Sequence, residues 1–193
     1  MTKVVIAMML MSVVSAESEA RADGVGEMTL FDFGQPRSVD EWGAINDGVM
    51  GGLSTGGLRP TEQGTAVFAG VVSLENNGGF ASVRSRPGEY DLRGHAGLSL
   101  HVRGDGRTYK LNLKTDRSFD GVLYRVPFET RSGEWQTIEL RFSDFVPTFR
   151  GRVLRDAQPL DLSRVSSVGL MISDKQSGPF RLEVEWIKTL PGR

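Results

Sequence analysis

Alternation of apolar and polar residues is the clearest pattern along this chain. In Leu98–Arg103 every second residue is leucine or valine, and Tyr109, Leu111 and Leu113 repeat the pattern after Asp105-Gly106. A period of two residues is typical of a β-strand with one buried face. Asp-Gly is a favoured two-residue turn between antiparallel strands. The pattern therefore predicts two strands that pair as a hairpin.

Similar segments recur along most of the chain, and turn residues bound each of them. The other segments predicted as strands are 28–33, 65–74, 80–85, 122–128, 135–142, 163–173 and 180–188, whereas 143–160 is predicted to be irregular. No window shows an apolar period of 3.6 residues over three turns, so no helix is predicted. Many short strands separated by turns indicate an all-β sandwich or barrel.

A glycine-rich stretch, residues 42–57, interrupts the alternation. It holds five glycines in the ten positions 48–57. Its apolar residues distinguish it from a flexible linker, which would be glycine and serine with little else. Two interpretations are open. Trp42, Val49 and Met50 plug one end of the sandwich, or the backbone amides of the loop bind an anion as phosphate loops do.

Composition narrows the class of protein. The chain has 193 residues, 39% hydrophobic and 24% charged, which is typical of one globular domain. Its net charge of −1 lacks the basic excess of nucleic-acid-binding domains. Cysteine is absent, which excludes disulfides and thiolate metal sites.

The first sixteen residues have the character of a leader. Lys3 precedes the apolar run Val4–Val14, and Val14-Ser15-Ala16 resembles a signal-peptidase site. The run is shorter than the roughly 20 residues of a membrane span. We therefore predict a signal peptide at 1–16, a polar tail at 17–27 and a single domain at 28–190. This predicts export to the periplasm or extracellular space; the alternative is an intracellular or organellar location.

Catalytic and metal-binding patterns are weak. His95 and His101 are the only histidines, and Asp116 and Asp120 lack the spacing of a calcium loop. No Gly-x-Ser-x-Gly nucleophile motif occurs. We predict no enzyme activity, no cofactor and no metal.

The irregular segment contains the most suggestive binding residues. Phe145, Phe149, Arg150 and Arg152 combine aromatic rings with guanidinium groups, which are enriched in interface hot spots. In the alternative, the two phenylalanines are core residues and the arginines pair with nearby acids. The polar face of Lys110, Asn112 and Lys114, with Tyr124 and Arg125, extends this surface or is an ordinary solvated strand face.

Several motifs together resemble those of a known family. They are Trp42, Asn46 to Gly52 with Ser54, Asn77 to Ser82 with Arg84, Gly104 to Arg107 with Tyr109, Trp135, Phe142 with Asp144-Phe145, Arg150-Gly151-Arg152, Gly169 to Ile172 and Gly178 to Phe180. Their identity and order resemble the complex I intermediate-associated protein 30 family, over about residues 31–187. The resemblance implies a galactose-binding-domain-like jelly-roll β-sandwich.

The resemblance also implies a function. It indicates a non-catalytic, chaperone-like assembly factor that holds protein partners while a membrane-associated complex forms. The alternative is a carbohydrate-binding module of an exported protein, which exposed Trp42 or Trp135 on a concave loop face would favour. The predicted binding residues are Trp42, Asn46, Asp47, Met50, Ser54, Asn77, Phe80, Arg84, Phe145, Phe149, Arg150 and Arg152. Neither nucleic acid nor a membrane span in the mature chain is expected.

Overall fold

Thirteen strands form the framework of the part of the chain that the structure describes. The structure, a computed structural model, describes residues 25–192, so the predicted signal peptide lies outside the described residues. The strands are β1 (Thr29–Asp32), β2 (Trp42–Ala44), β3 (Thr55–Pro60), β4 (Ala66–Val72), β5 (Ala81–Ser85), β6 (Gly97–Arg103), β7 (Thr108–Lys114), β8 (Leu123–Glu129), β9 (Trp135–Arg141), β10 (Val146–Phe149), β11 (Arg152–Val153), β12 (Ser167–Ile172) and β13 (Gly178–Leu190). Short 3₁₀ turns occur at Asp47–Met50, Glu75–Asn77 and Phe142–Asp144.

These strands form two antiparallel sheets. The six-stranded sheet has the order β3-β4-β13-β6-β9, and β1 also pairs with β13. The seven-stranded sheet has the order β11-β10-β8-β7-β12-β5-β2. The two sheets pack as a sandwich, which confirms the predicted all-β class. Within residues 25–192, no helix has the length and apolarity that crossing a lipid bilayer requires.

The alternating strands supply the core between the sheets. Leu98, Leu100 and Val102 of β6 are fully buried, as are Leu111 and Leu113 of β7. Each such side chain contributes roughly 1.5–3 kcal/mol when it leaves water. The residues that alternate with these apolar side chains therefore face outward. On β7 they form part of the floor of a groove.

The hairpin predicted for β6 and β7 is wrong, because the two strands belong to different sheets. The Asp105 carboxylate accepts hydrogen bonds from the Tyr109 hydroxyl at 2.9 Å and the Arg181 amide at 2.9 Å, and so anchors the connection to β13. At Gly104 a Cβ would lie 2.2 Å from the Thr130 hydroxyl oxygen, so this crossing requires glycine. The connection carries the chain from one sheet to the other, and the apolar faces of both strands point toward the core. Two strands of a hairpin would show the same alternation, so the sequence pattern does not distinguish the two arrangements.

Short strands also occur where none was predicted. β10 and β11 lie in segment 143–160, at one edge of the seven-stranded sheet. β2 lies within the glycine-rich stretch, and β3 begins at its end. β2 and β11 are too short to show a period, and the glycines and proline of β3 and the proline of β10 interrupt any alternation there. Their pairing partners, rather than their own sequences, hold them extended.

Candidate functional site

The outer face of the seven-stranded sheet forms a groove of about 580 Å³. Its floor is lined by Ser82, Arg84, Lys110, Asn112, Lys114, Leu123, Arg125, Ser167, Gly169 and Met171. Its rim is formed by Val49, Met50, Gly78 to Phe80, Phe119 to Gly121, Arg150-Gly151 and Asp174-Lys175. Strands supply the floor and loops supply the rim, so a rigid surface carries the polar groups.

One cross-strand row organises the floor. Arg84, Gly169, Asn112 and Arg125 are successive neighbours across β5, β12, β7 and β8. A Cβ at Gly169 would lie 2.9 Å from the Val83 carbonyl oxygen, so glycine keeps the centre of the row low. Neighbouring strands lie about 4.8 Å apart, which places the two arginine backbones about 14 Å apart. Both side chains are long enough to reach over the trough between them.

The arginines of this row have neutral partners. Arg125 Nε donates to Asn112 Oδ1 at 3.2 Å, and Arg84 Nη1 donates to the Phe119 carbonyl at 3.1 Å. Burial lowers the pKa of Arg84 below its usual value, although the charges of two nearby aspartates act in the opposite direction. Burial likewise lowers the pKa of Arg125. Both guanidinium groups remain charged at neutral pH and are held with little compensation.

Lys114 is the most buried cation of the floor. The residue is only 2% exposed, and its ammonium makes no aligned hydrogen bond. Its nearest carboxylate oxygen is Asp116 Oδ1 at 3.1 Å. Burial raises the pKa of Asp116, but the Ser118 hydroxyl and the Lys114 ammonium lower it by more. One partly exposed carboxylate offsets only part of the desolvation of a buried ammonium.

The groove carries an excess of positive charge. Its lining cations are Arg84, Lys110, Lys114, Arg125, Arg150 and Lys175, and its lining carboxylates are Asp120 and Asp174, a balance of 6 − 2 = +4. Asp174 pairs with Lys110 at 2.6 Å, and Asp120 pairs with Arg150 at 2.7 Å. The other four cations have no lining carboxylate as partner. This concentration occurs in a chain whose net charge is −1.

Asp47 fixes one rim of the groove. Its buried carboxylate accepts hydrogen bonds from the Ser54 amide at 2.9 Å, the Ser54 hydroxyl, the Gly79 amide at 2.7 Å and the Phe80 amide at 3.2 Å. Burial raises the pKa of Asp47, but these hydrogen bonds together bring it below its usual value. A Cβ at Gly52 or Gly78 would lie within 2.4 or 2.6 Å of this side chain, so glycines enclose it.

The plug predicted for the glycine-rich stretch is wrong. Val49 and Met50 are each 60% exposed and form the rim of the groove. Trp42 packs separately against Phe31 and Phe33, with ring centroids 4.9 and 5.6 Å apart. The Asp47 hydrogen bonds turn the loop outward, which separates these apolar residues.

The structure divides the predicted binding residues into three groups. Met50, Phe80, Arg84 and Arg150 line the groove. Asn46, Asp47 and Ser54 support its rim, where Asn46 bonds the Gly56 carbonyl and the Ser82 amide. Trp42, Asn77, Phe145, Phe149 and Arg152 lie outside the lining. Phe145 is a core residue, and the Arg150 guanidinium lies 5.2 Å from the centre of the Phe149 ring.

Of the floor residues, Arg84 was predicted to bind, whereas Lys110, Asn112, Lys114 and Arg125 were left between a binding surface and a solvated strand face. The alternation of β7 assigns Lys110, Asn112 and Lys114 to one face, but it does not show that the face is concave. Gly169, inside the otherwise apolar β12, was the signal available. Its meaning depends on its neighbours in the sheet. Within residues 25–192, no group of three or more histidine, aspartate or glutamate side chains is placed to hold a metal ion.

Comparison with known proteins identifies the family. The family model described as complex I intermediate-associated protein 30 matches residues 31–184. The chain belongs to that family. A Drosophila melanogaster relative named complex I intermediate-associated protein 30, mitochondrial, is 32% identical over 82% of this chain and 61% of its own length. A Mus musculus relative of the same name is 32% identical over 82% of this chain and 54% of its own length.

Solved structures show the same fold. The family 11 carbohydrate-binding module of Clostridium thermocellum, in complex with a mixed-linked tetrasaccharide, superposes with a TM-score of 0.66 at 19% identity, covering 87% of this chain and 97% of the module. The agarase AgWH50C gives a TM-score of 0.58 at 16% identity, covering 86% of this chain and 25% of the enzyme. These likenesses confirm the predicted jelly-roll sandwich. At such identities they show the fold alone.

The expectation of export is wrong. The family relatives from Drosophila melanogaster, Mus musculus and Neurospora crassa are all named as mitochondrial proteins, which points to an organellar location. An apolar run after a lysine is a short, generic signal, whereas the family match extends over most of the chain. The chain spans little more than half the length of the first two relatives.

Proposed function

We propose that this chain is a non-catalytic, chaperone-like assembly factor for a membrane-associated respiratory complex. Its groove holds a segment of a partner protein while the complex forms. Membership of the complex I intermediate-associated protein 30 family supports the assembly role. The observation that carries the binding role is the groove itself, in which a charged floor lies beside an exposed apolar rim. The domain at 28–190 is the proposed binding unit.

The apolar rim favours a protein as the occupant. Val49 and Met50 are each 60% exposed, and Phe119 across the groove is 66% exposed. Exposed apolar residues beside a polar surface are typical of protein-interaction sites. Covering these three side chains removes apolar surface from water, while the rigid sheet beneath them needs little rearrangement.

The carbohydrate alternative has less support. An exposed Trp42 or Trp135 on a concave loop face would have favoured this alternative, but Trp42 packs against Phe31 and Phe33. Trp135 lies on the outer face of the other sheet, stacked on His101 with ring centroids 4.8 Å apart. Neither tryptophan lines the groove. The likeness to carbohydrate-binding modules is a likeness of fold.

The test is affinity capture from solubilised respiratory membranes with the tagged full chain. We expect complex I subunits, identified by quantitative mass spectrometry, to co-purify with the wild type. The double variant Val49→Ser with Met50→Ser should recover them at least fivefold less. Val71→Ser with Val153→Ser is the matched control, because both valines are exposed and lie outside the groove.

Two results would contradict the assembly proposal. The first is capture that contains no complex I subunit. The second is equal recovery by the rim variant and the control, which would place the partner on another surface. A glycan array with the same proteins tests the carbohydrate alternative. That alternative requires sugar binding by the wild type and its loss in the rim variant.

A further inference from the structure

The floor of the groove holds cations that the fold neutralises only in part. Lys114 is buried and forms an ion pair with one carboxylate, that of Asp116. Arg84 and Arg125 bond to neutral oxygens, and the charges of nearby aspartates act on them only from beyond ion-pair distance. Folded proteins rarely bury a charge without a full set of partners, because desolvation disfavours the charged form. Three such cations beneath one groove therefore mark a place where a negative group from outside would be bound favourably.

We propose that the segment held in the groove is acidic, and that its carboxylates bind Arg84 and Arg125 above the buried positive charge of Lys114. The proposal rests on the proposed function for the statement that the occupant is a protein segment. Arginine presents a planar fork that binds a carboxylate through two parallel hydrogen bonds, and a lysine ammonium acts as a point charge. The floor offers both kinds of group side by side.

The spacing of the floor sets the spacing of the acids. The backbones of Arg84 and Arg125 lie three strand spacings apart, or about 14 Å. An extended peptide rises about 3.3 Å per residue, so residues four positions apart span about 13 Å. We therefore expect two acidic residues at positions i and i+4 of an extended segment that crosses the strands. Apolar residues outside them would contact Val49, Met50 and Phe119 on the rim.

Two ion pairs within the groove leave the same segment free to enter. Lys110 and Arg150 already have the carboxylates of Asp174 and Asp120, so they neither repel nor strongly attract a further anion. Asp120 and Asp174 also face the groove, so an acidic segment avoids the rim beside them. These contacts direct the incoming carboxylates to the centre of the floor.

The test uses two synthetic peptides that differ only in charge. Each is an acetylated and amidated octapeptide with leucine at both ends and serine elsewhere, and positions 2 and 6 carry glutamate in one and glutamine in the other. Isothermal titration calorimetry with the full chain measures binding at 50 and 300 mM salt. We expect the glutamate peptide to bind at least tenfold more tightly, and the higher salt to weaken its binding.

Charge-matched variants locate the site. Arg125→Gln should weaken binding of the glutamate peptide at least fivefold. Arg131→Gln, which removes an equal charge from an exposed turn outside the groove, should change it less than twofold. Circular dichroism and thermal unfolding establish that both variants are folded. If Arg125→Gln does not fold, Arg84→Gln serves in its place, since Arg84 occupies the other end of the row.

Equal binding of the two peptides would overturn the proposal, and so would equal effects of Arg125→Gln and Arg131→Gln. Displacement of the glutamate peptide by equimolar inorganic phosphate would also overturn it, because the site would then serve a small anion. Membrane capture separates this proposal from the assembly role. Complex I subunits recovered equally by Arg125→Gln leave the assembly role intact and refute the acidic segment. Charge-dependent peptide binding without such capture refutes the assembly role.

Discussion

The outer faces of the two sheets differ in how fully their buried charged side chains are paired. On the six-stranded sheet, Glu183 is only 2% exposed and accepts hydrogen bonds from Thr65 Oγ1 at 2.7 Å, Arg103 Nη2 at 2.7 Å and Arg181 Nη2 at 3.2 Å. On the seven-stranded sheet, Lys114 is equally buried but has one carboxylate and no aligned hydrogen bond. Glu183 and Lys114 are thus equally buried, but they differ greatly in the hydrogen bonds and ion pairs that they make.

The aromatic residues of the two outer faces show the same contrast. On the six-stranded sheet, His101 stacks between Trp135 and Trp186, with centroids 4.8 and 5.5 Å away, and Arg103 and Lys188 lie over the outer ring faces. These rings use one another as partners. On the groove rim, Phe119 is largely exposed. The groups on the six-stranded face pair with one another, whereas less fully paired groups line the groove that we propose as the binding face.

The largest effect is expected at Asp47, the carboxylate on the groove side that is as fully partnered as Glu183. Asp47→Ala leaves the amides of Ser54, Gly79 and Phe80 without an acceptor inside the folded protein. Each unsatisfied buried donor costs about 1–3 kcal/mol, so we expect a loss of about 4 kcal/mol in the free energy of unfolding. Urea denaturation measures it.

Two checks accompany this prediction. Asp40→Ala removes an exposed carboxylate that pairs with Arg37, and it should change stability by less than about 0.5 kcal/mol. The folded pKa of Asp47 lies below its ordinary value of 3.8. Its charged form therefore stabilises the protein above that pH, and this contribution disappears as the pH falls through the folded pKa. The stability gap between wild type and Asp47→Asn should narrow only in that acidic range. A gap independent of pH would contradict the assignment.

The next effect tests the six-stranded face. Glu183→Ala removes the shared acceptor of Thr65, Arg103 and Arg181, and because both guanidinium groups can turn to solvent we expect a loss of about 2 kcal/mol. Peptide binding in the groove should stay within twofold of the wild type. The control is the exposed Glu139→Ala on the same face, with a change below about 0.5 kcal/mol. Weakened peptide binding would refute the division between the faces.

The smallest effect has the opposite sign. Lys114→Met removes a poorly compensated buried ammonium and keeps the volume of the side chain, so we expect a gain of about 1 kcal/mol in the free energy of unfolding. Thermal unfolding measures it, and affinity for the glutamate peptide should fall. Lys175→Met, which removes an exposed cation from the rim, should leave stability unchanged. A loss of stability in Lys114→Met would make this lysine a structural residue.

Part of the proposed binding face was predictable from single residues. Phe80, Arg84 and Arg150 were expected in the site and line the groove. Phe145 and Phe149 had the same composition signal but lie outside the lining. Phe145 is buried in the core, to which aromatic residues are equally suited, whereas Phe149 is exposed beside Arg150. Composition identifies residues capable of binding, and only their placement selects among them.

Local sequence determined which side of each strand is apolar, because a pleated strand alternates its side chains whatever surrounds it. It also determined the absence of thiol chemistry and, through glycine-spaced motifs, the family. The tertiary structure alone decided that β6 and β7 part into different sheets, and that Arg84, Gly169, Asn112 and Arg125 share one row. Arg84, Asn112 and Gly169 come from strands far apart in sequence. Arg84 and Arg125 face one groove only because the order of the strands in the sheet places them in the same row.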